Sequence, residues 1–187
     1  IDARIAAAPV AVPETPDPEA DRFLPVEVTG QIAGDSLHVL ASVKQVGAVY
    51  RVISALETEA GRRLLVDRGI VAAEDKAGIR APDGTVTVAG NLHWPDEVDG
   101  FTPDPDTAEN IWFARDVPAM AAALGTDPVL IVARSMDPPD PVTDPLPVDT
   151  SIIPNDHLEY AITWFSLAAV WIGMTGFLLW RIRRRTV

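Results

Sequence analysis

Cysteine is absent from this chain. That excludes disulfides, thiolate metal sites and cysteine nucleophiles, and it fits any redox compartment. Histidine is scarce, with three residues (His38, His93 and His157). None is spaced as H-x-x-x-H or H-E-x-x-H, so no zinc motif can be read. A glycine-rich phosphate loop is missing, as is a G-x-S-x-G elbow, and Ser36, Ser42, Ser54 and Ser135 have no hydrolase motif around them. Basic residues are few outside the tail: residues 1–160 hold 11 Lys/Arg against 27 Asp/Glu. Such a body does not suit nucleic acid, whose phosphates need basic surface. The pairs Asp96/Glu97 and Asp104/Asp106 lie in no EF-hand loop and read as solvated surface. No catalytic machinery is visible, and the chain reads as a non-enzyme.

Charge is missing altogether from Tyr160 to Trp180, a run of 21 residues. As an α-helix it spans roughly 31 Å, close to the hydrocarbon core of about 30 Å. Trp164 and Trp180 lie near its ends, where indole prefers the interface. Arg181, Arg183, Arg184 and Arg185 follow. The positive-inside rule keeps them cytoplasmic and puts residues 1–154 on the periplasm-like side. At 100° per residue, Ser166, Ala169, Gly173 and Gly176 share one stripe, which lets a second helix approach closely. His157, Ala161, Trp164, Ala168 and Thr175 lie on a different face.

Proline is plentiful, 17 residues, and concentrated in two stretches. Residues 1–22 include "PVAVPETPDP" and read as an extended leader. Residues 137–154 begin "DPPDPVTDPLPVD", which can form neither helix nor central strand and reads as a stiff spacer. Between them, residues 23–136 form the domain. Strands are expected at 24–30 and 37–43. A hairpin follows, "YRVISALET" and "RRLLVDRGIV" around Glu59-Ala60-Gly61. Further strands are expected at "TVTVAGNLHW" and "PVLIVARS". One helix is expected, capped by Asp116, with Pro118 in its first turn and Gly125 at its end. The fold class is therefore α+β. It is a small antiparallel β-sheet or barrel-like domain with one short packed helix, plus a transmembrane helix over 155–181 and a basic tail at 182–187.

His157, at the mouth of the membrane run, leaves two readings open. It is an interfacial histidine that caps or hydrogen-bonds locally, or it is an axial ligand to haem iron. Trp164 on the same helical face lies against a porphyrin or anchors the interface. Asp67 and Arg68 read as a local ion pair ending a hairpin strand or as contacts to a partner. Asn110, Trp112 and Phe113 read as core and turn residues or as interface.

"IPNDHLEYAITWFSLAAVW" resembles the C-terminal membrane helix of the surfeit locus 1 family, cytochrome c oxidase assembly factors of mitochondria and aerobic bacteria. "LLVDRGIV" resembles its Leu-Val-Asp-Arg-Gly strand, and "NIWFARDVPAMA" its Asn-x-Trp-Phe block and short helix. The fine pattern resembles alphaproteobacterial members. The resemblance implies two membrane helices around a periplasmic domain in the bacterial inner membrane. The first helix would precede Ile1, since "IDARIAAAPV" resembles the segment just after it. It also implies binding of haem a and its insertion into, or retention in, oxidase subunit I, with haem A synthase as a neighbour. The family's haem-associated histidine maps onto His157, which would ligate the iron beside Trp164 in a cleft between the two helices. The "VDRG" and "NIWF" loops (Asp67, Arg68, Trp112, Phe113) would dock on the oxidase and its assembly intermediates. The rival expectations are a haem-independent chaperone clamping an assembly intermediate and a stably bound accessory subunit of a respiratory complex.

Overall fold

The computed structural model describes residues 5, 7–44, 46–148 and 157–185. The chain divides into two units, Ile1–Val148 and Asp149–Val187.

The first unit is built on β2 (Pro25–Val43), β3 (Gly47–Thr58), β4 (Arg63–Ala72), β5 (Thr85–His93) and β6 (Leu130–Asp137). The order β2-β3-β4-β6-β5 is closed by a further β2–β5 pairing, so the five strands form a barrel. Closure gives each of the five strands two barrel neighbours. The two strands expected at 24–30 and 37–43 are one strand of 19 residues. Gly34 and Asp35 read as a break, but β3 runs alongside on both flanks and the interruption shrinks to a register shift between Ile32 and Ser36. Tertiary pairing overrides local turn propensity here. The strand serves two neighbours: its first part pairs β5 from Pro25↔Asn91 to Gln31↔Thr85, and its later part pairs β3 as far as Val43↔Gly47. Gly30 lies in both ladders, where a Cβ would stand 2.4 Å from the Glu57 carbonyl oxygen. Only glycine lets the strands meet so closely.

The β3–β4 hairpin forms as expected, with Gly61 at φ +77°. Most pairings are antiparallel, but β4–β6 is parallel. β6 enters between β4 and β5, antiparallel to β5, so the chain from β4 to β6 travels through β5 and the long 94–129 connection, which carries a helix, α1 (Val117–Leu124). Asp116 caps α1 by accepting from the Ala119 N–H at 3.0 Å, and Gly125 ends it in the left-handed region.

Alternation along the strands splits the core in two. Val26, Leu56, Leu64, Val66, Val88 and Ile131 fill the barrel. Ile53, Leu65, Leu130 and Val132 face outward beneath α1, where Met120 and Trp112 cover them.

Both proline-rich stretches are tied to the barrel. In the leader, β1 (Val10–Ala11) pairs parallel with Val26 and Glu27. Arg62 donates to the carbonyl oxygens of Pro13 (2.7 Å) and Glu14 (3.2 Å). The expected spacer is packed as far as Val148. Asp144 exchanges backbone hydrogen bonds with Ile70 (2.8 and 2.9 Å), and Thr143 is buried. Prolines removed helix and ladder as expected, but the residues between them kept their donors and acceptors. Residues 149–154 of that expected spacer lie outside the described residues.

In the second unit, α2 (His157–Arg185) is a helix of 29 residues. Its stretch Tyr160–Arg184 is long and apolar enough to cross a membrane.

Truncating the cap, Asp116→Ala, is expected to cost about 1 kcal/mol, whereas Leu56→Ala in the barrel costs about 2–5 kcal/mol. Denaturant titration of the detergent-solubilised chain checks this; equal losses at the two sites would contradict the assignment of the core.

Candidate functional site

Two sets of residues were expected to matter: the membrane helix and the Asp67/Arg68 and Trp112/Phe113 blocks. On α2, His157 is the first helical residue, and its side chain lies outside the described residues. Trp164 follows seven positions later, about 20° away around the axis and roughly 10.5 Å along it, and it is 67% exposed. Tyr160, Phe165, Trp171 and Phe177 are exposed too. Ser166, Ala169, Gly173 and Gly176 are exposed, and a Cβ built on either glycine meets nothing within 4 Å. Such a helix is apolar on every side, as lipid or neighbouring helices require. At its basic end the Arg184 guanidinium lies 4.1 Å from the Trp180 ring centroid, and Phe177 packs against the same indole.

The Asp67-Arg68-Gly69 stretch is a buried latch. Asp67 and Arg68 do not pair with each other, because neighbours on a strand point to opposite faces. Arg68 points to the barrel side and is 1% exposed. Its Nε donates to Asp140 at 2.7 Å, another nitrogen donates to the Arg80 carbonyl at 2.7 Å, and its own carbonyl accepts from the Thr143 hydroxyl. Asp140 is equally buried and also accepts from the Val142 and Thr143 N–H groups. Gly69 has φ +120°, and a Cβ there would stand 2.1 Å from the Asp144 carbonyl oxygen. The three residues thus hold the 140–146 segment against β4.

Asp67 points the other way, and its side chain is fully buried. It accepts from Arg51 Nε at 2.7 Å and from the Gly69 N–H at 3.1 Å, and Arg115 approaches it at 3.7 Å. Arg51 also donates to the Leu146 carbonyl, and Arg115 grips Glu97 through a fork of hydrogen bonds. Glu97, expected to be solvated surface, is therefore half of an ion pair. Burial works against its charge, but the hydrogen bonds from Arg115 prevail and hold it below the usual carboxylate range. With exposures near zero, Asp67 and Arg68 present no surface to a partner. The expected docking loop is an internal strut.

His93 lies beside this network, stacked on Phe23 at 5.2 Å. Burial, reinforced by the charges of Arg115 and Arg22, pushes its pKa down to about 4. His38 accepts or donates at Nε2 to the Ser36 hydroxyl, and its pKa is lowered by burial and by Lys76 and Arg68. Both histidines belong to the packing of the domain. Among the described residues no group of three His, Cys, Asp or Glu is placed to hold a metal.

The Asn-x-Trp-Phe block divides its labour. Asn110 takes φ +51° and its side chain donates to the Ser36 carbonyl, while Trp112 is 6% exposed and exchanges backbone hydrogen bonds with β2. Phe113 faces out, 39% exposed. Sequence reasoning missed Arg51, Arg115 and Asp140, which are remote in sequence from the partners they meet.

The SURF1 family model matches residues 1–169. A "SURF1-like protein" of Monosiga brevicollis is 30% identical over 198 residues, covering 95% of this chain and 75% of that protein. "Surfeit locus protein 1" of Xenopus tropicalis is 31% identical, over 70% of this chain and 43% of its own length. The protein of that name in Homo sapiens is also 31% identical, over 70% of this chain and 44% of its length. The chain thus spans less than half of these vertebrate relatives.

Removing one partner of the buried pair, by Asp140→Ala, should destabilise the domain by about 3–5 kcal/mol. A loss below about 1 kcal/mol would mean that the latch behaves as a surface pair. For His93 the folded pKa is below the unfolded one, so the unfolded state binds more protons between about pH 4 and 6.5. Stability is complete above that window and falls as the pH drops through it. His93→Phe should flatten that stretch of the pH–stability curve; an unchanged slope would assign it to other groups.

Proposed function

The chain belongs to the SURF1 family, and from that premise we propose that it is a membrane-anchored, non-catalytic assembly factor for cytochrome c oxidase. In this reading it binds haem a and assists its insertion into, or retention in, subunit I. The observation that carries the reading is the family match across the domain and into the apolar helix, residues 1–169, with a span that can anchor the chain at Tyr160–Arg184. We place the chain in a bacterial inner membrane, of the alphaproteobacterial type, with the acidic domain periplasmic and the arginine tail cytoplasmic. The charge asymmetry supports that orientation: Arg181, Arg183, Arg184 and Arg185 flank one end of the span and an acidic body the other.

His157 would hold the haem, with Trp164 on the same helical face. The donor chemistry fits: His38 and His93 are engaged inside the domain, and His157 opens an apolar helix whose large apolar side chains are exposed. A hydrophobic haem does not cross water unaided, so a membrane-edge site suits it. Haem supplies the iron and the pigment; the chain's own residues bind it and shield it from water. Subunit I and its assembly intermediates are the proposed partners, with haem A synthase as the supplier.

One observation favours a second reading, a haem-independent chaperone: the domain carries an exposed apolar surface around Phe101 and Phe113. Haem stoichiometry separates the two. Replacing His157 with alanine in the full-length membrane protein should abolish the haem absorbance that co-purifies with it. Undiminished absorbance would remove the ligand role of His157, and a wild-type chain purified with far less than one haem per chain would leave the chaperone.

A further inference from the structure

Residues 96–109 contain Asp96, Glu97, Asp99, Asp104, Asp106 and Glu109 and no Lys or Arg. In the middle of this run Phe101 is 94% exposed, more than Phe165 at 76%, the most exposed large apolar side chain on the membrane helix. A floppy loop would fold such a ring onto the nearest apolar surface. Here an ordered turn holds it out. The Phe101 N–H donates to the Asp99 carboxylate at 2.8 Å, and the Thr102 hydroxyl accepts from the Asp99 N–H at 2.9 Å while donating to the same carboxylate at 3.0 Å.

Beside the turn lies a cleft of about 270 Å³ lined by Val98, Thr102, Pro103, Trp112 and Phe113, with Asp104 on it as well. Val98 and Phe113 are 50% and 39% exposed. The volume is below the ~300–1,000 Å³ of small-molecule sites, and suits an inserted side chain better than a cofactor. The cations near the run already have partners. Arg115 is held by Glu97 and Asp67, and Lys76 donates to the Glu109 carbonyl and lies over Tyr50. Asp104 and Asp116 line the cleft, and Asp96, Asp99, Asp104, Asp106 and Glu109 make no salt bridge among the described residues, so its rim stays net negative although Glu97 is paired. Insertion into lipid would strip water from those carboxylates with nothing to replace it, and an anionic membrane would repel them. A cationic peptide supplies both missing elements.

We propose that this face binds an extended cationic segment of a partner protein, placing an apolar side chain in the cleft beside Phe113. Lys or Arg on either side of that residue meets the carboxylates of the rim, and Phe101 packs against the segment from the lip. It rests on the assembly-factor reading only for the identity of the partner. The SURF1 match does not assign this surface.

The chain has no cysteine, and a Cβ at Gly100 would meet nothing within 4 Å, so Gly100→Cys gives a single reporter site beside Phe101. The full chain bearing an environment-sensitive dye there is reconstituted in phosphatidylcholine nanodiscs. A random peptide library is selected on the unlabelled chain and counter-selected against its Phe101→Ala variant. The surviving peptides should carry Lys/Arg flanking an aliphatic or aromatic residue and should shift the dye emission saturably. Phe101→Ala should weaken them by about tenfold or more. The Asp96→Asn/Asp104→Asn/Glu109→Gln variant, or salt raised from about 50 mM to about 500 mM, should weaken them as well. No surviving pool, a pool without basic residues, or affinity indifferent to both variants would overturn the proposal. A dye already in an apolar environment in peptide-free nanodiscs would also overturn it, in favour of lipid. Peptide binding can fail while the chain still supports oxidase assembly, or succeed while it does not, so the two readings stand or fall separately.

Discussion

Two adjacent residues of one strand, Asp67 and Arg68, carry opposite charges into opposite faces of the sheet, and each finds its counter-ion on another segment, Arg51 of the neighbouring strand β3 for Asp67 and the remote Asp140 for Arg68. A buried charge without its partner is strongly unfavourable. The chain from Asp140 to Leu146 must therefore lie across β4, and Arg51 and Arg115 must close over the other side. Gly69 completes the constraint by letting the Asp144 backbone come as near as a ladder partner. The proline-rich chain that leads towards the membrane helix is thus fastened to the barrel as far as Val148. A family motif that reads like a contact loop is an internal fastening.

That constraint directs attention elsewhere for function. With Asp67, Arg68 and Trp112 consumed by packing, the exposed aromatic side chains among the described residues lie in the acidic run before α1, at Phe113 and on α2. The two regions have different chemistry. One offers carboxylates around an apolar cleft, the other an uncharged helix with small residues on one stripe and indole on another. An assembly factor needs both kinds of surface: a soluble grip that steers by charge and a membrane segment that associates by packing.

Much of this was legible in the sequence, and what was not has a physical cause. The uncharged run, the capped helix at Asp116 and the Gly61 hairpin were all readable because each depends on residues within a few positions. The continuity of β2 through Gly34 and Asp35 was hidden, since the partner strand that enforces it is a tertiary fact. The parallel β4–β6 pair was hidden for the same reason, because β6 enters between β4 and β5 only after the chain has passed through β5 and α1. Charge networks were the least legible. Glu97 reads as solvent-facing until Arg115 arrives from the base of α1, and Asp140 reads as spacer until Arg68 claims it.

The proposed role of the chain is in oxidase biogenesis at the membrane. Deleting its gene in the source organism and recording the reduced-minus-oxidised spectrum of washed membranes tests this most directly. The account predicts that the haem a signal of assembled oxidase falls sharply while b-type haems persist, and that the restored full-length gene brings it back. A deletion strain with an undiminished oxidase spectrum would contradict it.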